Sequence, residues 1–535
     1  MVSSVSGKQE QGDNIMYQFG YFLIRNAQVH PERLAFVCLG KQYTWSELNR
    51  EVNKLANSMK AIGIGKGDRV AYLMRNCAEA FLTFLATQKL GACAAPINTH
   101  FLSGEISRIM DVIDCTAVVF QSDFSDTIHE AQNIYGKCKY SIVFGEAGPG
   151  EYDLTKLLEE GSEEEAQENL TADDESIIIF TSGTTGTSKA ALRTQSMNRE
   201  YGLMLAIEND NYHRPEVALT HAPFFHTASL SILIKMMALC GTYVLVNKVD
   251  PEFIFSQIEE YHVTQMLMVP PLLYMRLYES MIWKERDVSS VREAQFTGGK
   301  CSVDYVNKIC EMFPNARLRP SYGSTETCAP CSAVLPREML LEHQELITTV
   351  GRINANCELK IVDEQGNEVP IGEVGEAIVR SPMLFKGYIK NPELNKKVLV
   401  DGWFHTEDLM KRDANGFYWL VDRKKDMVKT GGENVYAQEV EDVLRNHPSI
   451  FDCAIIGVED ERFGEAVAAA IIINEGMSLT DAELIEYCRK MLPSYKKPRY
   501  VAYVKELPHN VTGKIQKSVL RDHAAELFRP VEGLK

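Results

Sequence analysis

The chain has 535 residues, 45% hydrophobic and 24% charged, with 56 basic against 73 acidic side chains and a formal net charge of −17. That length exceeds what one compact core organises, so two or more domains are expected. The acidic surplus excludes a nucleic-acid binder, which needs basic groups to neutralise phosphates. Much of the acid falls in residues 159–165 (Glu159, Glu160, Glu163, Glu164, Glu165), expected to be a solvated surface segment. The 13 cysteines are scattered singly apart from Cys328-Ala329-Pro330-Cys331, which lacks a second pair at zinc spacing. An odd cysteine count with no secretory leader fits a reducing, cytoplasmic setting. The longest apolar stretch, residues 230–246, is interrupted by Lys235 and is too short for a transmembrane segment.

Residues 1–15 have no apolar core and are expected to form a disordered tail. Thr44-Trp45-Ser46-Glu47 reads as a capping box, followed by one apolar helical face through Leu48, Val52, Leu55, Met59 and Ile62, with Gly63 as the stop. A strand over 70–74, a helix over 78–90 and a strand over 92–97 come next. Further strands are expected at 117–120, 141–144, 217–220, 243–246, 266–269 and 293–296, with helical segments between most of them. This alternation argues for an α/β fold of mainly parallel sheets covered by helices, in an N-terminal domain over 16–422. From about 350 to 422 the pattern turns to short strands and turn signals, which reads as a β-rich subdomain. A small mobile α+β C-terminal domain is expected over 423–535, entered through the charged run Asp422-Arg423-Lys424-Lys425-Asp426.

Ile177-Ile178-Ile179-Phe180 reads as a buried strand, and it runs into the loop TSGTTGTSKA from Thr181 to Ala190. Two glycines, a set of hydroxyls and one lysine around a single point suit a polyphosphate. The spacing is not that of a Walker A loop, because Ser188 stands five residues after Gly183, where that pattern needs its second glycine. SYGSTET (Ser321 to Thr327) offers Tyr322 for stacking on adenine and Glu326 for a phosphate-bound Mg2+. DGWFHTED ends in Asp408, a carboxylate able to grip two ribose hydroxyls. Gly431-Gly432 permits close backbone approach to a narrow ligand, and Lys514 lies in VTGK among turn residues.

In this order the motifs resemble those of the adenylate-forming superfamily of acyl-CoA ligases, luciferases and peptide-synthetase adenylation domains, and in particular its acyl-CoA synthetase branch. The resemblance runs from about Tyr43 to about Leu520. It implies that Thr181, Ser182, Gly183, Thr184, Thr185, Gly186 and Lys189 wrap the β- and γ-phosphates of ATP, with Thr185 and Glu326 at Mg2+. It implies that Tyr322 lies against adenine, Thr325 lies near the α-phosphate, and Gly299, Ser321, Gly323 and Ser324 complete the nucleotide site. Asp408 would hold ribose with Arg423 beside it, and Lys514 would bridge the carboxylate and the α-phosphate. Lys425 would be the pivot of the C-terminal domain, Gly431 and Gly432 would border the tunnel for coenzyme A, and His226 would gate the acid pocket. The chain departs from the family pattern at Ser188, Ala190, Lys300 and Glu407, the last standing where glycine is usual.

The activity implied is ATP-dependent ligation of a small-molecule carboxylic acid to coenzyme A through an acyl-adenylate. A stand-alone amino-acid or aryl-acid adenylation enzyme loading a carrier protein is the alternative, and a catalytically dead acyl-adenylate sensor the third reading. A homodimer is compatible with the sequence.

Overall fold

The structure is a computed structural model. It describes residues 18–166, 168–181, 188–208, 215–269, 271–297, 303–509 and 515–532. The expected tail at 1–15, Ser182 to Gly186 of the phosphate loop, Gly299, Lys300 and Lys514 lie outside the described residues. The chain divides into two compact units, one of Met1–Glu358 with Val379–Phe404, the other of Leu359–Ile378 with His405–Lys535.

The first unit carries two large sheets. One runs Tyr152–Asp153, Tyr140–Phe144, Ala117–Gln121, Arg69–Leu73, Cys93–Pro96, Glu175–Thr181, Lys189–Thr194 and Gly387–Tyr388. Its pairs are parallel up to Glu175–Thr181 and antiparallel beyond it. The other has parallel inner pairs from Leu34–Cys38 across to Arg317–Ser324, with antiparallel strands at both ends. The alternation of strand and helix in the sequence is what such parallel crossovers require.

Between the sheets lies one apolar core. Phe36 of the second sheet stacks on Phe81 of helix Ala78–Leu90 at 4.0 Å and 10°, and Phe224 meets Phe81 edge-on at 6.1 Å. Every residue of Ala78–Leu90 is buried. A helix covered on both sides by sheets has no solvent face, so its polar side chains find partners inside the protein: Glu79 pairs with Lys41, Thr83 Oγ1 donates to the Glu79 carbonyl at 2.8 Å, and Gln88 Nε2 donates to the Ser176 carbonyl at 3.0 Å. The capping box is formed: Thr44 Oγ1 accepts from the Glu47 amide at 3.2 Å, and the Thr44 amide donates to Glu47 Oε2 at 2.8 Å. Gly63, at φ +104°, ends that helix.

Two charged features make contacts that the sequence did not announce. The acidic segment is exposed, but it is also docked. Asn57 Nδ2 donates to the carbonyls of Ser162 and Glu164, Asn53 Nδ2 donates to that of Glu163, and Glu165 pairs with the buried Lys89. Lys235, which breaks the apolar run of helix Thr227–Leu239, is buried and reaches the sheet, donating to Gln265 Oε1 at 2.6 Å and Glu293 Oε1 at 3.2 Å. Arg319 Nε lies 2.8 Å from the same Glu293 oxygen. Burial alone would raise the Glu293 carboxyl, but Arg319 and Lys235 overcome this and hold it at about 2.

The second unit begins in short strands, where Trp403–Arg412 pairs antiparallel with Tyr418–Arg423. It continues in a sheet whose longest pair, Ile450–Asp460 with Gly464–Ile473, is covered by helices Ala437–Arg445 and Asp481–Met491. The fold class is the one the sequence implied.

Glu293→Gln removes the anion that compensates two buried cations and is expected to cost about 3 kcal/mol of stability. Because the folded carboxyl titrates below its unfolded value, that contribution is complete above pH ~4 and fades as pH falls towards ~2. Urea unfolding midpoints of wild type and variant at pH 7 and pH 3 check it: the gap should be widest at pH 7.

Candidate active site

The strands on either side of residues 182–187, the stretch expected to hold phosphate, form a hairpin. Glu175–Thr181 and Lys189–Thr194 pair antiparallel, with Phe180 opposite Ala190 and Thr181 opposite Lys189. Ile177 and Ile179 face one core and Ile178 the other, so the first strand is buried on both faces and reads as a continuous apolar run. The pairing fixes the neck of the loop and sets Lys189 at its base.

A second hairpin joins Arg317–Ser324 to Cys328–Ser332, and its turn carries Thr325 and Glu326. Ser324 Oγ accepts from the amides of Glu326 and Thr327 at 3.2 Å, while Thr327 Oγ1 accepts from the Ser324 amide at 3.0 Å. These hydroxyls replace the ladder that the turn interrupts. At Gly323 a Cβ would stand 1.7 Å from the Cys328 carbonyl oxygen, so no other residue fits.

The turn is anchored to the strand after the phosphate loop. The buried Arg193 guanidinium donates to the Thr325 carbonyl through Nε at 3.1 Å and a terminal nitrogen at 2.6 Å. Thr325 Oγ1 lies 2.9 Å from Thr227 Oγ1, in the first turn of helix Thr227–Leu239. Glu326 is 8% exposed; its Oε1 accepts from the Tyr388 hydroxyl at 2.7 Å, and its carbonyl accepts from the Phe385 amide at 2.9 Å. Lys189 Nζ stands 5.2 Å from the centre of the Tyr388 ring. His226 caps the same helix, its Nδ1 accepting from the Ala228 amide at 3.3 Å. Tyr322 is buried in its strand opposite Cys331, and the Ser321 carbonyl accepts from Thr297 Oγ1 at 3.0 Å.

The second unit holds the remaining described positions. Asp408 and Arg423 are cross-strand partners, with Nε 3.5 Å from Oδ1, and the Asp408 amide donates to Thr406 Oγ1 at 3.1 Å. Lys425 sits in a turn closed by the Asp426 amide donating to the Arg423 carbonyl at 2.9 Å. Arg521 ties that turn to helix Lys517–Asp522, donating to the Lys425 carbonyl at 3.3 Å and to Asp426 Oδ1 at 2.6 Å. Gly431 and Gly432, at φ +58° and +88°, are the two-residue turn of a hairpin in which Thr430 faces Glu433. Two successive left-handed residues are what that turn demands. Glu407 has φ +59°, which gives a physical reason for glycine at this position elsewhere in the family.

No cluster of three or more His, Cys, Asp or Glu able to hold a metal occurs among the described residues. A lone hard carboxylate such as Glu326 fits Mg2+, which keeps several waters and takes substrate phosphates as ligands, and does not fit an all-protein metal cage.

Two family models match the chain: AMP-binding enzyme over residues 23–389 and AMP-binding enzyme C-terminal domain over residues 439–514. The chain belongs to the AMP-binding enzymes. It is 31% identical to a feruloyl-CoA synthase of Amycolatopsis sp, over 94% of this chain and 98% of the relative. Among solved structures it is similar to ATP-bound MatB from Rhodopseudomonas palustris, with TM-score 0.84, 28% identity and 95% of this chain and 99% of that one covered. It is also similar to the o-succinylbenzoate CoA synthetase MenE from Bacillus subtilis in complex with its acyl-adenylate intermediate, with TM-score 0.82, 26% identity and 96% and 99% coverage.

In this AMP-binding enzyme the structure joins Lys189, Thr325 and Glu326 through residues that motif reading passed over. Arg193 had a signal, since it lies four residues after Lys189 on a strand and so shares its face. Tyr388 had none: it is 62 positions from Glu326 in sequence.

Glu407→Gly should relieve the left-handed strain and stabilise the second unit by up to about 1 kcal/mol, partly offset by the freer unfolded chain. A rise of ~2–4 °C in the melting temperature is the expected reading. A fall would show that the Glu407 side chain contributes more than its backbone costs.

Proposed function

We propose that this enzyme joins a carboxylic acid to coenzyme A in two steps. In the first, a carboxylate oxygen attacks the α-phosphorus of ATP, the bond to the β-phosphate breaks and pyrophosphate leaves. In the second, the thiol sulfur of coenzyme A attacks the acyl carbon, AMP leaves with the bonding electrons and the thiol proton goes to solvent. The observation that carries this reading is the convergence of Lys189 and Glu326 on one tyrosine beside the loop hairpin, in a chain similar over nearly its whole length to CoA synthetases.

An anion must approach a polyanion in the first step. At ~4 Å and an effective dielectric near 20, one unlike charge offsets about 4 kcal/mol of that repulsion. We assign that work to Lys514 at the α-phosphate and to Lys189 with Thr181 to Gly186 at the outer phosphates. Glu326, with Thr185, would hold Mg2+, which supplies charge neutralisation at the phosphates when bound. Tyr322 is assigned to adenine, Thr325 to the α-phosphate, Asp408 and Arg423 to ribose, and Gly431-Gly432 to the border of the pantetheine path. Lys425 is assigned as the pivot that withdraws Lys514 before thiol attack, and residues 423–535 as the part that turns. His226 caps its helix; we also assign it to the mouth of the acid pocket. All 12 described cysteines are free thiols, which supports a reducing, cytoplasmic setting.

A panel of aromatic and aliphatic acids assayed for pyrophosphate release, AMP and thioester should yield stoichiometric acyl-CoA and AMP only when coenzyme A is present. Pyrophosphate release with no thioester, and transfer of the acyl group to a carrier protein, would overturn the ligase reading.

With the acid found, Lys514→Ala should lower acyl-adenylate formation by about 10²- to 10³-fold and spare thioester formation from supplied acyl-adenylate. Asp408→Ala should instead raise the ATP KM with a smaller change in kcat, because ribose binding is shared by ground and transition states. Single-turnover rates of each half-reaction separate the two.

A further inference from the structure

Tyr388 lies on the edge strand Gly387–Tyr388, paired antiparallel with Lys189–Thr194 so that it stands opposite Ala191. Directly opposed residues share a face of a sheet, as do residues two apart on one strand. Lys189, Ala191, Arg193 and Tyr388 therefore face the same way, towards the turn that carries Glu326. Arg193 takes the backbone of that turn, Tyr388 takes the Glu326 side chain, and Lys189 rests over the Tyr388 ring.

The ring is itself held. The Tyr388 amide donates to Asn395 Oδ1 at 2.8 Å, and Asn395 Nδ2 donates back to the Tyr388 carbonyl at 2.9 Å. The neighbouring Gly387, at φ +139°, lets this amide close in, since a Cβ there would come within 3.1 Å of Asn395 Nδ2. Phe385 packs edge-on against the ring at 4.8 Å. Tyr388 is 5% exposed. A phenol donating to a carboxylate is a charge-assisted bond, roughly twice as strong as a neutral one, and out of water it also fixes direction. A cation over the ring face draws electron density and strengthens the same donor.

We propose that Tyr388 is a positioning residue for adenylate formation. Its hydroxyl fixes Glu326 Oε1, and with it the direction in which the second oxygen meets a divalent cation carried by ATP. Its ring holds the Lys189 ammonium at the neck of the phosphate loop until phosphate draws it away. The inference rests on the ligase reading for the identity of the reaction, and on the geometry alone for the link between Lys189 and Glu326.

The test compares wild type with Tyr388→Phe, which keeps the ring under Lys189 and removes only the hydroxyl. Mn2+ is titrated at saturating ATP by electron paramagnetic resonance, and acid-dependent pyrophosphate exchange is followed against Mg2+. Half-saturating Mn2+ and Mg2+ should both rise on the order of 10-fold, with the KM for coenzyme A and the melting temperature unchanged. In a Glu326→Gln background the same substitution should move neither titration by more than about 2-fold, because its partner is already gone. A lowered rate with unchanged metal titrations, or an undiminished effect in the Glu326→Gln background, overturns the proposal. A wild type that binds Mn2+ with ATP but exchanges pyrophosphate with no acid defeats the ligase reading and leaves the resonance titration to decide on Tyr388. If Tyr388→Phe does not fold, 3-fluorotyrosine at position 388 replaces it. Its 19F resonance should shift on adding ATP and Mg2+, and lose that shift in Glu326→Gln; no shift in the otherwise wild-type chain overturns the proposal.

Discussion

The grip of Arg193 on the Thr325 carbonyl is the interaction on which the arrangement of the first unit's site depends. Lys189 and the hairpin that carries Glu326 belong to two sheets with separate hydrogen-bond ladders, and neither ladder fixes the distance between them. A guanidinium on the strand Lys189–Thr194, donating twice to the tip of a hairpin from the other sheet, sets that distance. Its planar fork suits the task better than a lysine would, because two donors to one oxygen constrain direction as well as separation. Burial makes the contact costly to lose, since a desolvated guanidinium without its acceptor has no water to turn to.

The same logic recurs wherever this chain buries charge. Lys235, Glu293 and Arg319 form a compact group beneath the second sheet, and Lys89 reaches from a fully buried helix to Glu165. Such pairs add little net stability over well-packed apolar side chains, but each is satisfied in only one register of helix against strand. They select among packings that apolar contacts alone would leave close in energy.

In the second unit the chain accepts backbone strain beside the residues proposed for the nucleotide and coenzyme A. Gly431 and Gly432 meet the demand of a two-residue turn with residues made for it, whereas Glu407 adopts the same left-handed region with a side chain that disfavours it. Its amide is within 3.3 Å of Glu376 Oε1 and its carbonyl accepts from the Lys424 amide at 2.8 Å, so the surrounding bonds impose the conformation.

Periodicity and punctuation in the sequence were enough for the element order and the parallel α/β class, because each strand and helix writes its own burial pattern in two- or 3.6-residue steps. The capping box at Thr44, the strand before Thr181 and the helix at 78–90 are local facts of this kind, and so are the family motifs, which are contiguous. Pairings between distant segments carry no such signature. The docking of the acidic run onto Asn53 and Asn57, the burial of Lys235 and the bond from Tyr388 to Glu326 each depend on which surfaces the sheets bring together. A side chain's partner across the fold is set by the register of two ladders and the packing between them. The sequence by itself determined the element order and the family, and it named candidates for phosphate, ribose and acid; only the tertiary structure decided which neighbours hold Thr325 and Glu326 in place.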